Sequence, residues 1–457
     1  MASSVHRKVP SRASLPRRTT RGPLDEEPDP LSATLSPTSS TARAPDVSTP
    51  LATSQVLDAS EPTDTGINWL QDDPEAHVDP AGDKDLSFLL DSAIYHPLSQ
   101  VDVPPPLRKP FARPPPAGTN TTQALAQVDA LVAQCDLLGA AHLAAICLTG
   151  GLVQPTEHNS IFKLLAIRYS CLELTGQTLL AAQEAKALED LSSDFYYIVS
   201  QVSEEELEAH NGQQPLARHV MPFPFRVQAM RLQNIGFSDP RRGITALYDL
   251  GMEVRENIAS PYTTEAERQE WIMRLETLSM HVVNTLIELG DLDCAQRTLA
   301  QSKPTDPARS DRWTARMVLV LVKLGQLKQA QSYLDQLVDE ASEALFSSVI
   351  AVADGRLDAA AAFLESMAEG NAHQELASLA KQNLAVAYLY SGRIQQAAQL
   401  LEQLVSNGQS FHSLTINLAT IFDLTSDKSR DQKVNLVNKL ASSQPKTRTF
   451  ANADFKL

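Results

Sequence analysis

Gly290-Asp-Leu-Asp-Cys-Ala295, Gly325-Gln-Leu-Lys-Gln-Ala330, Gly355-Arg-Leu-Asp-Ala-Ala360 and Gly392-Arg-Ile-Gln-Gln-Ala397 each set a glycine five residues ahead of an alanine. The glycines are 35, 30 and 37 residues apart. A glycine accepts the left-handed conformation that closes a helix, where a Cβ would be strained. The alanine then starts a second helix whose small side chain permits a close approach to the first. Four residues beyond each alanine stands Leu299, Leu334, Leu364 or Leu401. One helical turn separates leucine from alanine, so both face the same neighbour. The unit is an antiparallel helix pair.

Working outward, Asn383-Leu384-Ala385 recurs 34 residues later as Asn417-Leu418-Ala419. That marks the first helix of a fifth unit, whose second helix, from 431 to 441, carries Lys, Asn and Asp outward as a terminal cap should. A period near ~34 residues is that of tetratricopeptide repeats. Upstream the pattern thins. Gly176 with Ala181 fits the rule, and 125–135 with 140–148 reads as another helix pair. The distance from Gly236 to Gly290 is too long for one repeat, and 264–289 reads as one long helix. Phe195-Tyr196-Tyr197-Ile198, an acidic stretch, and Pro222-Phe223-Pro224-Phe225 read as an insertion that rejoins the array near Arg226. The expected fold is all-α, a tetratricopeptide-like solenoid. Its parts are a disordered Pro/Ser-rich tail over 1–118, N-terminal helical repeats over 121–192, an irregular insertion over 193–225, and the solenoid with its cap over 226–445.

The tail assignment follows from composition. Of 28 prolines, 19 precede residue 119, and segments such as 31–44 and 104–116 bury too little apolar surface to offset chain entropy. The net charge is −16, which argues against a nucleic-acid footprint, since phosphate binding needs a basic face. Arg7, Lys8, Arg12, Arg17, Arg18 and Arg21 precede the first acidic residue, Asp25. Pro10, Pro16 and Pro23 interrupt any amphipathic presequence there, leaving a solvated basic arm. No apolar run of about 18 residues suits a membrane span. Cys135, Cys147, Cys171 and Cys294 are dispersed without C-x-x-C pairing and read as reduced, buried thiols.

No phosphate-loop, dinucleotide, zinc-protease or nucleophile-elbow motif occurs. No two histidines share a helical face at i, i+4, and His281 reads as a satisfied core residue. Catalysis, cofactor, metal and small-molecule substrate are therefore not expected. Two surface features stand out. Arg312, Arg316 and Lys323 fall on one stripe of a predicted first helix. Its commoner meaning is a solvated charged face, its alternative a clamp for an acidic segment or C-terminal carboxylate. In the tail, the run 85–91 with Phe88, Leu89 and Leu90 is either a short motif that folds on a partner or an incidental apolar patch. Ser36-Pro37 and Thr49-Pro50 are proline-directed phosphorylation dipeptides.

Three stretches in order carry a family resemblance. They are Asp194-Phe-Tyr-Tyr-Ile198, Val220-Met-Pro-Phe-Pro-Phe-Arg-Val227 with Leu232-Gln233, and Ile416-Asn-Leu-Ala-Thr-Ile-Phe-Asp-Leu-Thr-Ser426 followed by Lys428-Ser-Arg. Over about 125–457 the chain resembles the subunit-12 family of the trafficking protein particle (TRAPP) complex. The resemblance implies a non-enzymatic scaffold acting in traffic between endoplasmic reticulum and Golgi and in autophagy. It also implies a cytoplasmic protein peripherally associated with Golgi membranes. Its partners would be the large peripheral and core TRAPP subunits and, indirectly, a Rab GTPase and membranes, since nucleotide exchange belongs to the small core subunits. The short repeat at Gly355 and the insertion depart from a regular array. A tetratricopeptide co-chaperone and a coat subunit of the epsilon-coatomer kind are the alternatives.

Overall fold

The computed structural model describes residues 84–116, 118–199, 204–210, 213–304, 307–369, 374–443 and 450–457, all within the unit Pro50–Leu457. The basic arm and the two phosphorylation dipeptides lie outside them. The described chain is mostly helical, with almost no strand, and its helices come in pairs: α1 (Thr121–Ala133) with α2 (Leu137–Thr149), and α3 (His158–Leu174) with α4 (Thr178–Glu184). The insertion follows, with strand β1 (Tyr197–Ile198), α5 (Glu204–Ala209) and strand β2 (Arg218–His219). Next come α6 (Phe223–Phe237) with α7 (Pro240–Ala259), α8 (Glu265–Glu288) with α9 (Leu292–Gln301), and α10 (Pro307–Lys323) with α11 (Leu327–Leu334). The last pairs are α12 (Glu340–Ala353) with α13 (Leu357–Glu369), α14 (Gln374–Tyr390) with α15 (Ile394–Ser406), and α16 (His412–Thr425) with α17 (Ser429–Ser443).

The turns behave as the Gly-x4-Ala spacing requires. Gly176, Gly290, Gly325, Gly355 and Gly392 all have φ between +72° and +79°. In each turn the following residue donates its N–H back five residues, as in Asp291 to the Leu286 carbonyl at 2.9 Å and Arg393 to the Tyr388 carbonyl at 2.8 Å. This six-to-one bond satisfies a carbonyl that a helix end would otherwise orphan. Ala181, Ala295, Ala330, Ala360 and Ala397 are fully buried, as are Leu299, Leu334, Leu364 and Leu401 to within 1%.

The thin upstream pattern has a definite cause. Cys135 and Ser238 occupy the glycine slot with φ of 53° and 54°, and the same bond closes both turns: Asp136 N–H to Leu131 O at 2.9 Å, Asp239 N–H to Asn234 O at 3.2 Å. Five residues on stand Ala140, fully buried, and Gly243, also buried. A left-handed residue with a Cβ costs about 1–2 kcal/mol, which the surrounding packing overrides. Gly236 is not a turn glycine. It lies inside α6, where a Cβ would sit 2.4 Å from the Ala182 carbonyl oxygen of α4. Pairing of α6 with α4 carries the array past the insertion.

Residues 264–289 form the expected single helix. Thr264 caps α8, its hydroxyl accepting from the Glu267 N–H while the Glu267 carboxylate returns to the Thr264 N–H, a reciprocal capping box. The insertion holds a two-residue antiparallel ladder pairing Tyr197 with His219 and Ile198 with Arg218. The apolar interior is a succession of clusters: one from α1 to α6, one from α6 to α12, one around α13 and α14, and one from α14 to α17. Such succession is what a solenoid builds, each unit burying its face against neighbours.

The tail boundary needs correction. Residues 84–116, assigned above to a disordered tail on their proline content, pack on the array. Leu86 and Leu89 are 0% and 1% exposed within the first cluster, and Val103 is 5% exposed. Lys84 donates to the carbonyls of Asp194 and Tyr197 at 3.3 and 3.0 Å, and the Leu86 N–H reaches the Pro155 carbonyl at 3.1 Å. Few anchors suffice because proline-rich chain is stiff and loses little entropy on ordering.

Candidate interaction surface

The Arg312, Arg316 and Lys323 stripe lies on α10, but it is not three open cations. Arg312 and Arg316 are half-buried and each is engaged by a partner; Lys323 alone of the three is exposed. Between the arginines Trp313 is 5% exposed, donating its indole N–H to the Leu299 carbonyl at 2.8 Å, so the helix turns this region into the core. Arg309, one turn earlier, pairs with Glu276 of α8 at 2.5 Å. A clamp would have to be built from Lys323 and whatever the neighbouring helices add.

The tail motif is likewise used internally. Leu89 is buried and Leu90 packs beside it in the first cluster. Phe88, 38% exposed, sets its ring edge-on to Phe195 of the insertion with centroids 6.0 Å apart. The partner on which this motif folds is its own chain.

Register arithmetic exposes a surface that the sequence reading missed. Two residues before the turn position, in the last turn of each first helix, stand Glu288, Lys323, Ala353, Tyr390 and, by the 34-residue recurrence, Leu424. All five are exposed, Tyr390 at 53% and Leu424 at 64%. The column is charged at α8 and α10, where Glu288 reaches Arg231 at 3.4 Å, and apolar at α14 and α16. First helices along the array thus each end on an exposed residue at the same register, and its chemistry changes from charged to apolar. Counting back two from each glycine gives the first four positions, and the structure supplies their exposure.

Buried ion pairs hold the N-terminal half of the array. Arg168, wholly buried, donates to both oxygens of Glu184 at 2.6 Å, to the Ala141 carbonyl at 2.7 Å and to the His96 carbonyl at 3.0 Å. Glu184 also accepts the His96 N–H at 2.9 Å. One pair therefore ties α2, α3, α4 and the segment before α1. Arg226 joins Glu253 at 2.7 and 2.8 Å and the Tyr197 hydroxyl at 2.6 Å, fixing the insertion to α6 and α7. Burial would raise the Glu253 carboxyl, but hydrogen bonds from Arg226 and Tyr197 outweigh it and leave its pKa below the usual value.

His219 is pushed down to about 3, first by burial and then by Arg226. Its Nε2 donates to the Leu191 carbonyl at 3.0 Å while Nδ1 accepts the Met221 N–H at 3.0 Å, a pattern that assigns the neutral tautomer. His281 is half-buried and also lowered, by burial first and Arg231 second. Burial raises the Cys147 thiol to about 11 and the Cys171 thiol to about 12. Cys135 and Cys294 are half-buried, not core thiols as the sequence reading had all four. Cys294 accepts from Arg297 at 2.9 Å.

A groove of about 440 Å³ opens among α15, α16 and α17, lined by Val405, Phe422, Gln432, Asn435 and Lys439 among others. Among the described residues, no group of three His, Cys, Asp or Glu side chains is placed to hold a metal ion, and no helix is long and apolar enough to cross a membrane. No family model matches the chain, and no curated protein matches it.

Proposed function

We propose that this chain is a non-enzymatic scaffold of the TRAPP type, a subunit of a vesicle-tethering assembly that works through protein contacts on its helix-pair array. The observation that carries the reading is the exposed column from Glu288 through Lys323 to Tyr390 and Leu424. A register that stays exposed from unit to unit and passes from charged to apolar suits contact with an extended partner surface, as repeat arrays offer. The three ordered stretches that resemble the subunit-12 family supply the name of the assembly. They also supply the expected setting, at Golgi and ER–Golgi membranes, in transport and autophagy. The partners under this reading are the large peripheral and core subunits, with the Rab GTPase and the membrane reached indirectly.

The co-chaperone alternative needs several open cations facing one groove. With Arg312 and Arg316 half-buried and engaged, that reading is the less favoured. The test is purification of the tagged full chain from its own cells, followed by mass spectrometry of what co-elutes near stoichiometry. Recovery of TRAPP core and large subunits is the expected result. Recovery of coatomer subunits or of chaperones in their place would overturn the assignment.

A further inference from the structure

The segment between the first packed anchors and α1 does something that the repeat pattern does not require. Tyr95 and Leu98 pack against the first apolar cluster, as does Ala112 further on, and the ring of Phe111 stacks on His142 of α2 with centroids 4.5 Å apart. Between these anchors the chain leaves for the far end of the array. Leu107 packs against the last cluster, to which Leu436, Leu440 and Phe455 belong. The turn Pro105–Leu107 lies on α17. The Asp102 carbonyl accepts the Asn452 N–H at 2.6 Å, and the Val101 carbonyl accepts the Asn452 side-chain amide at 3.3 Å. The excursion is internally braced: Arg108 donates to the Val103 and Val101 carbonyls at 2.8 and 3.1 Å, and the Lys109 N–H reaches the Gln100 side chain at 3.1 Å.

We infer that residues 98–112 form a clasp that fastens the first helix pair to the last, so that the two ends of the repeat array open and close together. The chain from Leu107 to Ala112 is five residues long and spans at most about 18 Å, so engagement at Leu107 sets how far apart the first and last clusters stand along this link. The three consecutive prolines 104–106 hold the loop in a shape close to its docked one, which lowers the entropy lost on closure. Among the described residues the hold at the far end is short, the turn Pro105–Leu107 with its Leu107 side chain and the two bonds from Asn452. A contact of that size opens locally, well below global unfolding.

The receiving side is built for it. The C-terminal residues fold back so that Phe450 and Phe455 are 2% and 0% exposed. Asp454 accepts from the Ala451 N–H at 2.8 Å and pairs with His412 at 2.5 Å. Lys433 donates to the Lys456 carbonyl at 3.0 Å. Solenoids need their last apolar face covered. Here the cover is made jointly by the chain's end and by the loop that begins at its opposite end. The clasp therefore adds to the polar outer face of α17 that the sequence reading assigned as a terminal cap.

The test is hydrogen exchange with mass spectrometry on the full chain and its Leu107→Asp variant. Coupling predicts roughly tenfold or faster exchange at 450–457 and equally at 92–98, with α7 to α13 unchanged. Acceleration confined to 450–457, or no change at either end, would overturn the clasp. Asp102→Cys with Asn452→Cys gives a second reading that does not depend on the first variant's folding. Its oxidised form should slow exchange at both ends relative to its reduced form, and failure of the pair to join under mild oxidant contradicts the proximity.

Discussion

Removing the Arg168 guanidinium offers the sharpest check on how the N-terminal repeats are held. In Arg168→Ala the Glu184 carboxylate, with a fully buried side chain, loses both bonds of its bidentate partner. The carbonyls of Ala141 and His96 each lose a donor as well. Breaking a buried pair by deleting one member costs about 3–5 kcal/mol, because a charge stays behind in a poor solvent. Glu184 retains the His96 N–H at 2.9 Å and a half-exposed imidazole 3.5 Å away, so the lower end, about 3 kcal/mol, is expected. Arg168→Met combined with Glu184→Leu removes both charges and should recover at least about 1 kcal/mol of that loss. A repeat array opens piecewise, so a single melting midpoint would blur the effect. The assay is therefore residue-resolved amide exchange across α2 and α3, read as local opening free energy. A single variant within about 1 kcal/mol of the parent, or a double variant less stable than the single, would refute this account of the pair.

Four further outcomes follow from the same structure. Gly392→Ala meets nothing within 4 Å, whereas the Cβ of Gly236→Ala would lie 2.4 Å from a backbone oxygen; denaturant titration should show a loss near 1 kcal/mol for the first, from backbone strain alone, and a larger one for the second. Ala397→Phe should cost roughly 1–3 kcal/mol by forcing α14 and α15 apart, and normal thermal melting would contradict the repeat register. Because the folded pKa of His219 lies near 3 against an ordinary 6.5, unfolding takes up a proton, so its contribution is whole above about 6.5 and is lost as pH falls towards about 3; stability measured against pH should fall less steeply over that window in His219→Gln. Tyr390→Ala with Leu424→Ala should leave helicity intact and change stability by less than about 1 kcal/mol, while weakening partner binding at least about tenfold by interferometry.

What could be read in advance divides along physical lines. Turns that use glycine were legible, since a left-handed cap narrows the residue choice to very few, and the alanine five residues on is constrained by helix approach. The turn closed by Ser238 escaped notice, and the one closed by Cys135 showed only through its flanking helices, because tertiary packing there carries a strain that sequence preference disfavours. The long helix α8 declared itself through continuous periodicity. Residues 84–116 misled because their anchors Leu86, Leu89, Val103 and Leu107 follow no period and stand among prolines that elsewhere signal disorder. Contacts between distant positions, such as Arg168 with His96 or Asn452 with Asp102, leave no local trace in composition or spacing. The cation stripe was real as a helical register, yet register cannot tell which face of α10 turns toward Trp313 and the core. The exposed column needed both the turn positions and the burial of each first helix before it could be seen.

The scaffold reading meets its most direct test in the size at which the untagged chain migrates when a gentle extract of its own cells is fractionated by size exclusion. The account predicts that it elutes in a large assembly together with TRAPP core and large subunits, and that Tyr390→Ala with Leu424→Ala shifts it toward the position of a single chain. Elution of the unaltered protein wholly as a single chain would contradict it.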